Sequence, residues 1–355
     1  TDSILKSLTN GERLNIASAN ALFNEITPDK LHQIGEVADE IRQTRYGLRA
    51  TYVHNLQINP TNICVRGCDF CGFAVLPGKD GGYSLDENEI IKNVATVNPS
   101  EVHIVGGLSH QWKFRRSLEL VRRIRQCFPS LYIKSYTAVE MDWFAKTEKR
   151  PIEMILAAFT EAGMNSMPGG GAEMFSETIR RQHFRQKLGA DDWLTVHQAA
   201  HELAIPTNAT MLYGMGETLE ERIVHLFRLR DLQDKTGGFV SFIPLAMQFG
   251  VNNDREIPPL ENLMVVAMSR LILDNFPHIK AYWPMIGIET AAAALSFGAD
   301  DLDGTIGLEK IAHASGAKTP KQMAAEEMSR IIRLAGFDPM ERNGAYLPVL
   351  TTKCA

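Results

Sequence analysis

The chain has 355 residues, 45% of them hydrophobic and 22% charged, with a formal net charge of −5. That balance belongs to a soluble globular protein with ample chain for a large core, and it excludes an electrostatic nucleic-acid binder, which needs a basic face. No window approaches a membrane-spanning apolar run, the stretch Thr1-Asp2-Ser3-Ile4-Leu5-Lys6 lacks a signal-peptide layout, and few, clustered cysteines fit a reducing cytoplasm better than a disulfide framework.

Residues 1–50 read as a helical segment. Thr27-Pro28 is an N-cap followed by a first-turn proline, and Leu31, Ile34, Ala38 and Ile41 recur at helical spacing, which predicts one buried stripe and a packing cap on the main domain. From Asn55 the chain alternates β-type runs with amphipathic helices. Candidate strands lie at 55–59, 101–105, 131–136, 164–167, 207–212, 239–243, 279–283 and around 306–308. Ser84-Leu85-Asp86-Glu87 has capping-box spacing ahead of one helix. Another helix spans 220–234, with Ile223, Leu226, Phe227 and Leu232 inward and Glu221, Arg222, Arg228 and Arg230 outward. Such alternation predicts a parallel sheet with helical crossovers, either a (β/α)8 barrel or a doubly wound open sheet. The expected division is 1–50 as the cap, 51–338 as the βα domain, and 339–355 as an irregular tail folding back over one end.

Directly after the first candidate strand comes Cys64-Val65-Arg66-Gly67-Cys68-Asp69-Phe70-Cys71, a C-x3-C-x2-C run. Thiolates suit iron–sulfur clusters and zinc. A closed zinc site needs a fourth ligand at hand, yet Cys127 and Cys354 are distant and His54 precedes the strand. A four-iron cubane held by three cysteines keeps one iron open to a small molecule. Polar or glycine-rich blocks follow the other β-runs too, where a parallel barrel gathers its sites. They include Gly106-Gly107, Thr137 with Glu140, Gly169-Gly170-Gly171, and Tyr213 to Glu217. The triple glycine fits neither the P-loop nor the dinucleotide fingerprint. His103, inside a β-run, reads as a hydrogen-bonded core residue. His197 and His201 have zinc spacing but no third ligand, so they read as packing or surface residues.

The cysteine spacing, with Phe70 before the last cysteine, resembles the radical S-adenosylmethionine (SAM) enzymes. Five further stretches, Glu101 to Leu108, Thr137 to Glu140, Met167 to Glu173, Thr207 to Gly214 and Asp274 to Trp283, resemble one branch of them. That branch holds aminofutalosine synthase, the dehypoxanthine futalosine cyclase and the two halves of the deazaflavin (FO) synthase, and the likeness is greatest to aminofutalosine synthases. It runs from about Leu48 to about Arg342. The resemblance implies an α/β fold, a (β/α)8 TIM-type radical SAM barrel. It implies a 4Fe–4S cluster on Cys64, Cys68 and Cys71, with S-adenosyl-L-methionine on the open iron. Gly106 and Gly107 would lie against the methionine amino group, and Phe70 beside the cluster and adenine. Glu140, Glu173 and Arg180 would serve the ribose hydroxyls, amino group and carboxylate. It also implies a low-potential electron donor of flavodoxin or ferredoxin type. The expected reaction adds the 5′-deoxyadenosyl radical to 3-[(1-carboxyvinyl)oxy]benzoate, giving 6-amino-6-deoxyfutalosine, an early menaquinone intermediate. Hydrogen abstraction, as in the cyclase or deazaflavin synthase, is the alternative within the branch. A non-catalytic iron–sulfur or zinc protein is the alternative from another class. The expected acceptor is a small dianion, so Arg66, His110, Lys134, Arg181 and Lys280 are candidate anion contacts.

Three departures from the usual pattern stand out. Tyr213-Gly214-Met215-Gly216-Glu217 replaces Tyr-Gly-His-Ile-Glu, Phe73-Ala74 replaces Phe-Arg, and Leu108-Ser109-His110 replaces Leu-His-Pro. They predict a distinct subfamily with another acceptor or another acid–base group, His110 replacing the lost imidazole, and His110 and Glu217 are the expected catalytic residues. On that expectation, His110→Ala costs at least about tenfold in turnover.

Overall fold

The computed structural model describes residues 2–349. Most strands in it are short, and Asn55–Ile58 and Thr207–Tyr213 are buried along their whole length, as parallel strands are when helices cover them. The strands are β1 (Arg49–Val53), β2 (Asn55–Ile58), β3 (Glu101–Ile104), β4 (Tyr132–Ser135), β5 (Thr207–Tyr213), β6 (Phe239–Ala246), β7 (His278–Ile279), β8 (Asp301–Gly304) and β9 (Asp338–Arg342). They pair in parallel as three ladders, β2-β3-β4, β5-β6-β7 and β8-β1-β9. Single parallel bridges join the ladders into a ring: Lys134 with Ser166, Met167 with Thr207, Lys280 with Asp301, and Leu56 with Gly307. The closed ring, with helices between successive strands, is the (β/α)8-type barrel rather than the open sheet. Among the described residues no helix is long and apolar enough to cross a membrane.

Residues 2–46 are mainly helical, as Asp2–Thr9, Ile16–Phe23 and Pro28–Tyr46. Thr27 caps the third, its hydroxyl accepting from Lys30 N. That helix packs on the helix Pro259–Ile272 and on the turn Leu295–Phe297, so it braces the side of the barrel. Gly35 makes the approach possible: a Cβ there would stand 2.6 Å from the Phe297 ring.

Several local expectations are corrected. The strand expected at 164–167 contributes only the bridges of Ser166 and Met167. The strand expected near 306–308 lies earlier, as β8. Its run Asp300-Asp301-Leu302-Asp303 is rich in carboxylates, which are depleted in strands. Here each acid is buried with a partner: Asp300 with Arg270 and His278, Asp301 with Arg342 and Thr51, Asp303 with Lys280. The tail is ordered where irregularity was expected, because β9 pairs along the whole of β1. Residues 350–355, Cys354 among them, lie outside the described residues. The helix Glu87–Val97 is capped by Asp86, not Ser84, whose hydroxyl instead accepts from Trp112 Nε1. Arg222 and Arg230, expected in solvent, are buried: the first pairs with Glu217 and Glu261, and the second donates to the carbonyl of Leu14.

Candidate active site

A cavity of about 300 Å³ runs from the C-terminal mouth into the barrel interior. The loop after β2 forms one wall. It is pinned by Cys64 N donating to Val75 O and Val65 N to Leu108 O, both at 2.9 Å. Cys64, Cys68 and Cys71 are free, half-buried and on the cavity wall. Arg66 N points at Cys64 Sγ across 3.4 Å, and the backbone N–H groups of Phe73 and Ala74 face Cys71. Burial pushes the Cys68 thiol up to about 11 while the Lys187 ammonium opposes the shift. Metal binding overrides such a penalty by displacing the proton. Among the described residues no three His, Cys, Asp or Glu side chains converge on a single ion. A cubane spreads its three thiolates over three irons and asks for no such convergence, so the donor set fits a cluster.

The glycines after β3 support this loop by closeness. Gly107 N donates to Thr61 O at 2.8 Å, and a Cβ on Gly107 would lie 2.3 Å from Ile63 O. Gly107→Ala therefore forces the cysteine loop outward. We expect a loss of about 1–3 kcal/mol in chemical denaturation, with less iron bound per chain after reconstitution. The glycines at 169–171 are packed in the same way: a Cβ on Gly169 would lie 2.7 Å from Asn208 O.

Glu140 lines the cavity with its oxygens already engaged. One accepts from Gly106 N at 2.9 Å, the other from Thr137 N and Oγ1, which closes the N-terminus of the helix Ala138–Glu148. Burial raises its carboxyl to about 7 against those hydrogen bonds. Glu173 sits in left-handed backbone, φ +45°, and pairs with Lys187, whose ammonium lies 5.3 Å from the centre of the Phe70 ring. Non-glycine residues rarely adopt that conformation, and where they do the strain commonly serves a site. Arg180 is absent from the cavity lining. Its guanidinium is buried and donates to the carbonyls of Ala172, Met174 and Leu188, so it ties the glycine loop down instead. Lys187 is the cation in its place, a residue the sequence did not single out.

Deep in the barrel, Gln57, His103 and Lys134 are register partners across β2, β3 and β4, and all three line the cavity. Lys280 and Asp303 complete this layer. Lys134 Nζ donates to Glu101 at 2.6 Å and Lys280 Nζ to Asp303 at 2.5 Å. His103 is thus a cavity residue rather than a plain core one, held neutral because burial takes its imidazole down to about 3. The signal for this layer was present as polar residues one apart in otherwise apolar β-runs, but no sequence reading gives the register that unites them.

His110 is exposed, lies outside the cavity lining and rests beside Trp143, ring centres 5.5 Å apart. Glu217 is buried and fully used: it accepts from Gly214 N, Met215 N and Arg222 Nε, and it too is absent from the lining. It shapes the loop after β5, where Gly214 and Gly216 take φ of +93° and +103°. Of the three departures only Ala74 borders the cavity; Met215 and Ser109 are buried behind it. Arg181 is exposed and away from the lining, while Arg66 is on it. His110→Ala is therefore expected to keep turnover within about twofold, under about 0.4 kcal/mol, measured as SAM consumed per chain. His197 and His201 both face the Thr207 hydroxyl at 2.8 Å, a packing role.

Residues 58–229 match the Radical SAM superfamily and residues 236–353 the CofH/MqnC C-terminal region. Over 98% of its length the chain is 41% identical to an aminodeoxyfutalosine synthase of Thermus thermophilus, covering 95% of that protein. It is 32% identical to a cyclic dehypoxanthine futalosine synthase of Halalkalibacterium halodurans, across 97% of this chain and 94% of that one. Among solved structures, methylornithine synthase (PylB) has a TM-score of 0.77 at 17% identity, covering 95% of this chain and 97% of that one, which is a likeness of fold.

Proposed function

The chain belongs to the radical SAM superfamily, in the branch that includes aminofutalosine synthase, and on that footing we propose that it adenosylates 3-[(1-carboxyvinyl)oxy]benzoate to give 6-amino-6-deoxyfutalosine for menaquinone biosynthesis. The observation that carries the assignment is the nearly end-to-end 41% identity with the Thermus thermophilus enzyme. When bound, a 4Fe–4S cluster supplies the low-potential electron that cleaves SAM into methionine and a carbon radical. Cys64, Cys68 and Cys71 would hold that cluster on the cavity wall. The Glu173–Lys187 pair offers opposite charges for the ammonium and carboxylate of the methionine moiety, and Phe70 a flat apolar face beside them. Leu108, Val139, Leu212, Leu245 and Met285 keep the middle of the cavity apolar, which shields a reactive carbon centre from water and side reactions. An electron donor of flavodoxin or ferredoxin type, in the cytoplasm, belongs to the same proposal.

A different acceptor is favoured by one observation: Ala74 borders the cavity where aminofutalosine synthases usually carry arginine. Mass spectrometry of the anaerobic reaction separates the readings. Adenosyl addition gives a nucleoside bearing the acceptor's carbons. Free 5′-deoxyadenosine equal in amount to product would mean hydrogen abstraction instead. Iron binding without any consumption of SAM would leave a non-catalytic iron–sulfur protein.

A further inference from the structure

The deep end of the cavity presents more hydrogen-bond donors than it uses. An ammonium group has three N–H donors. Lys134 spends one on Glu101, and Lys280 spends one on Asp303. Gln57 Nε2 lies 3.2 Å from His103 Nδ1; with the amide donating, the imidazole proton sits on Nε2. That Nε2 is buried and has no partner. A buried donor left unmade is costly, and a site built this way rejects ligands that cannot fill it. Charge favours an anion. Glu101 lies behind Lys134, off the cavity lining, so of that pair a ligand meets the ammonium and not the carboxylate, with the Lys280 ammonium beside it on Asp303. Asp303 itself sits in left-handed backbone, φ +63°, with its N–H donating to Asp301, which fixes where its carboxylate meets Lys280.

Resting on the function proposed above, we infer that Lys134, Lys280 and His103 form an anion subsite that receives the ring carboxylate of the acceptor. The apolar middle of the cavity then takes the aromatic ring. The enol ether points outward to the cysteine loop, where Arg66 lines the cavity with no ion pair among the described residues. The subsite orients the acceptor and so decides which end meets the radical.

The test compares this acceptor with 2-phenoxyacrylate, which keeps the enol ether and lacks the ring carboxylate, on the reconstituted holoenzyme. The wild-type enzyme is expected to favour the diacid in kcat/KM by at least about thirtyfold, the scale of one or two hydrogen bonds to a charge. Lys134→Met and Lys280→Met are each expected to bring that ratio within about threefold, mainly through KM for the diacid. Because Lys134→Met strands Glu101, the charge-neutral double variant Glu101→Gln, Lys134→Met serves as its folded counterpart and should show the same collapse. Equal use of both acceptors by the wild-type enzyme, or an unchanged ratio in the double variant, would overturn the subsite and leave the adenosylation intact. No adduct from either acceptor, with SAM still cleaved, would overturn both.

Discussion

Any one of Cys64→Ala, Cys68→Ala and Cys71→Ala is expected to abolish the visible iron–sulfur absorbance and cut SAM cleavage by more than about a thousandfold, about 4 kcal/mol or more in the barrier. Three protein ligands are the least that can hold a cubane while one iron stays open, so two leave it without adequate ligation. The thiols are half-buried, and the loop's own backbone bonds, from Cys64 to Val75 and Val65 to Leu108, do not involve them. The barrel should therefore keep its far-ultraviolet spectrum and its denaturation midpoint to within about 1 kcal/mol. Full SAM cleavage by a triple Cys→Ala variant would remove the cluster from the mechanism.

Arg342→Met should produce the largest loss of stability, about 3–5 kcal/mol. Both Arg342 and Asp301 are fully buried, and they meet at 2.5 Å. Although burial works against the guanidinium's charge, Asp301 facing it holds its proton more tightly than usual. Removing the arginine strands a carboxylate whose remaining partners are the Thr51 hydroxyl and the Asp303 N–H of its own strand. Exchanging the pair as Asp301→Asn, Arg342→Met should recover most of the loss, because a buried ion pair costs nearly as much to desolvate as it returns. Urea midpoints of the wild type and the two variants decide this. An Arg342→Met chain within about 1 kcal/mol of the wild type would mean that β9 does not depend on the pair.

Much of this architecture was legible where its cause is local. Three cysteines in eight residues announce a soft-metal loop whatever surrounds them, and Thr27-Pro28 marks a helix start through bonds made within one turn. The rest depends on partners far away in sequence. Asp301 and Asp303 are poor strand residues until Arg342 and Lys280 arrive beside them. Lys134 reads as one of several candidate anion contacts, and only the fold puts Glu101 behind it. Arg180 and Lys187 lie on one short stretch, and only the fold sends the first to backbone carbonyls and the second to Glu173. Glu217 falls in the same class: a carboxylate in a glycine-rich loop after a strand suggests chemistry, and the buried Arg222 that claims it is visible only once the helix is in place.

The pairing of β9 with β1 has a consequence for how the protein is made. β1 and the strand that completes its pairing, β9, are separated by nearly the whole barrel: Arg49 pairs with Asp338 and Val53 with Arg342. Contacts of such long sequence separation form slowly, because loop closure must be met before they return anything. The cysteine loop follows β2 directly, so its thiols precede β9 by most of the barrel. Stable iron loading is therefore expected to follow the pairing of β9, with the thiols open to oxidants until then. A slow-translating host under air should yield chains that are folded but permanently short of iron, a defect of timing that no later reconstitution repairs once those thiols are oxidised beyond the disulfide.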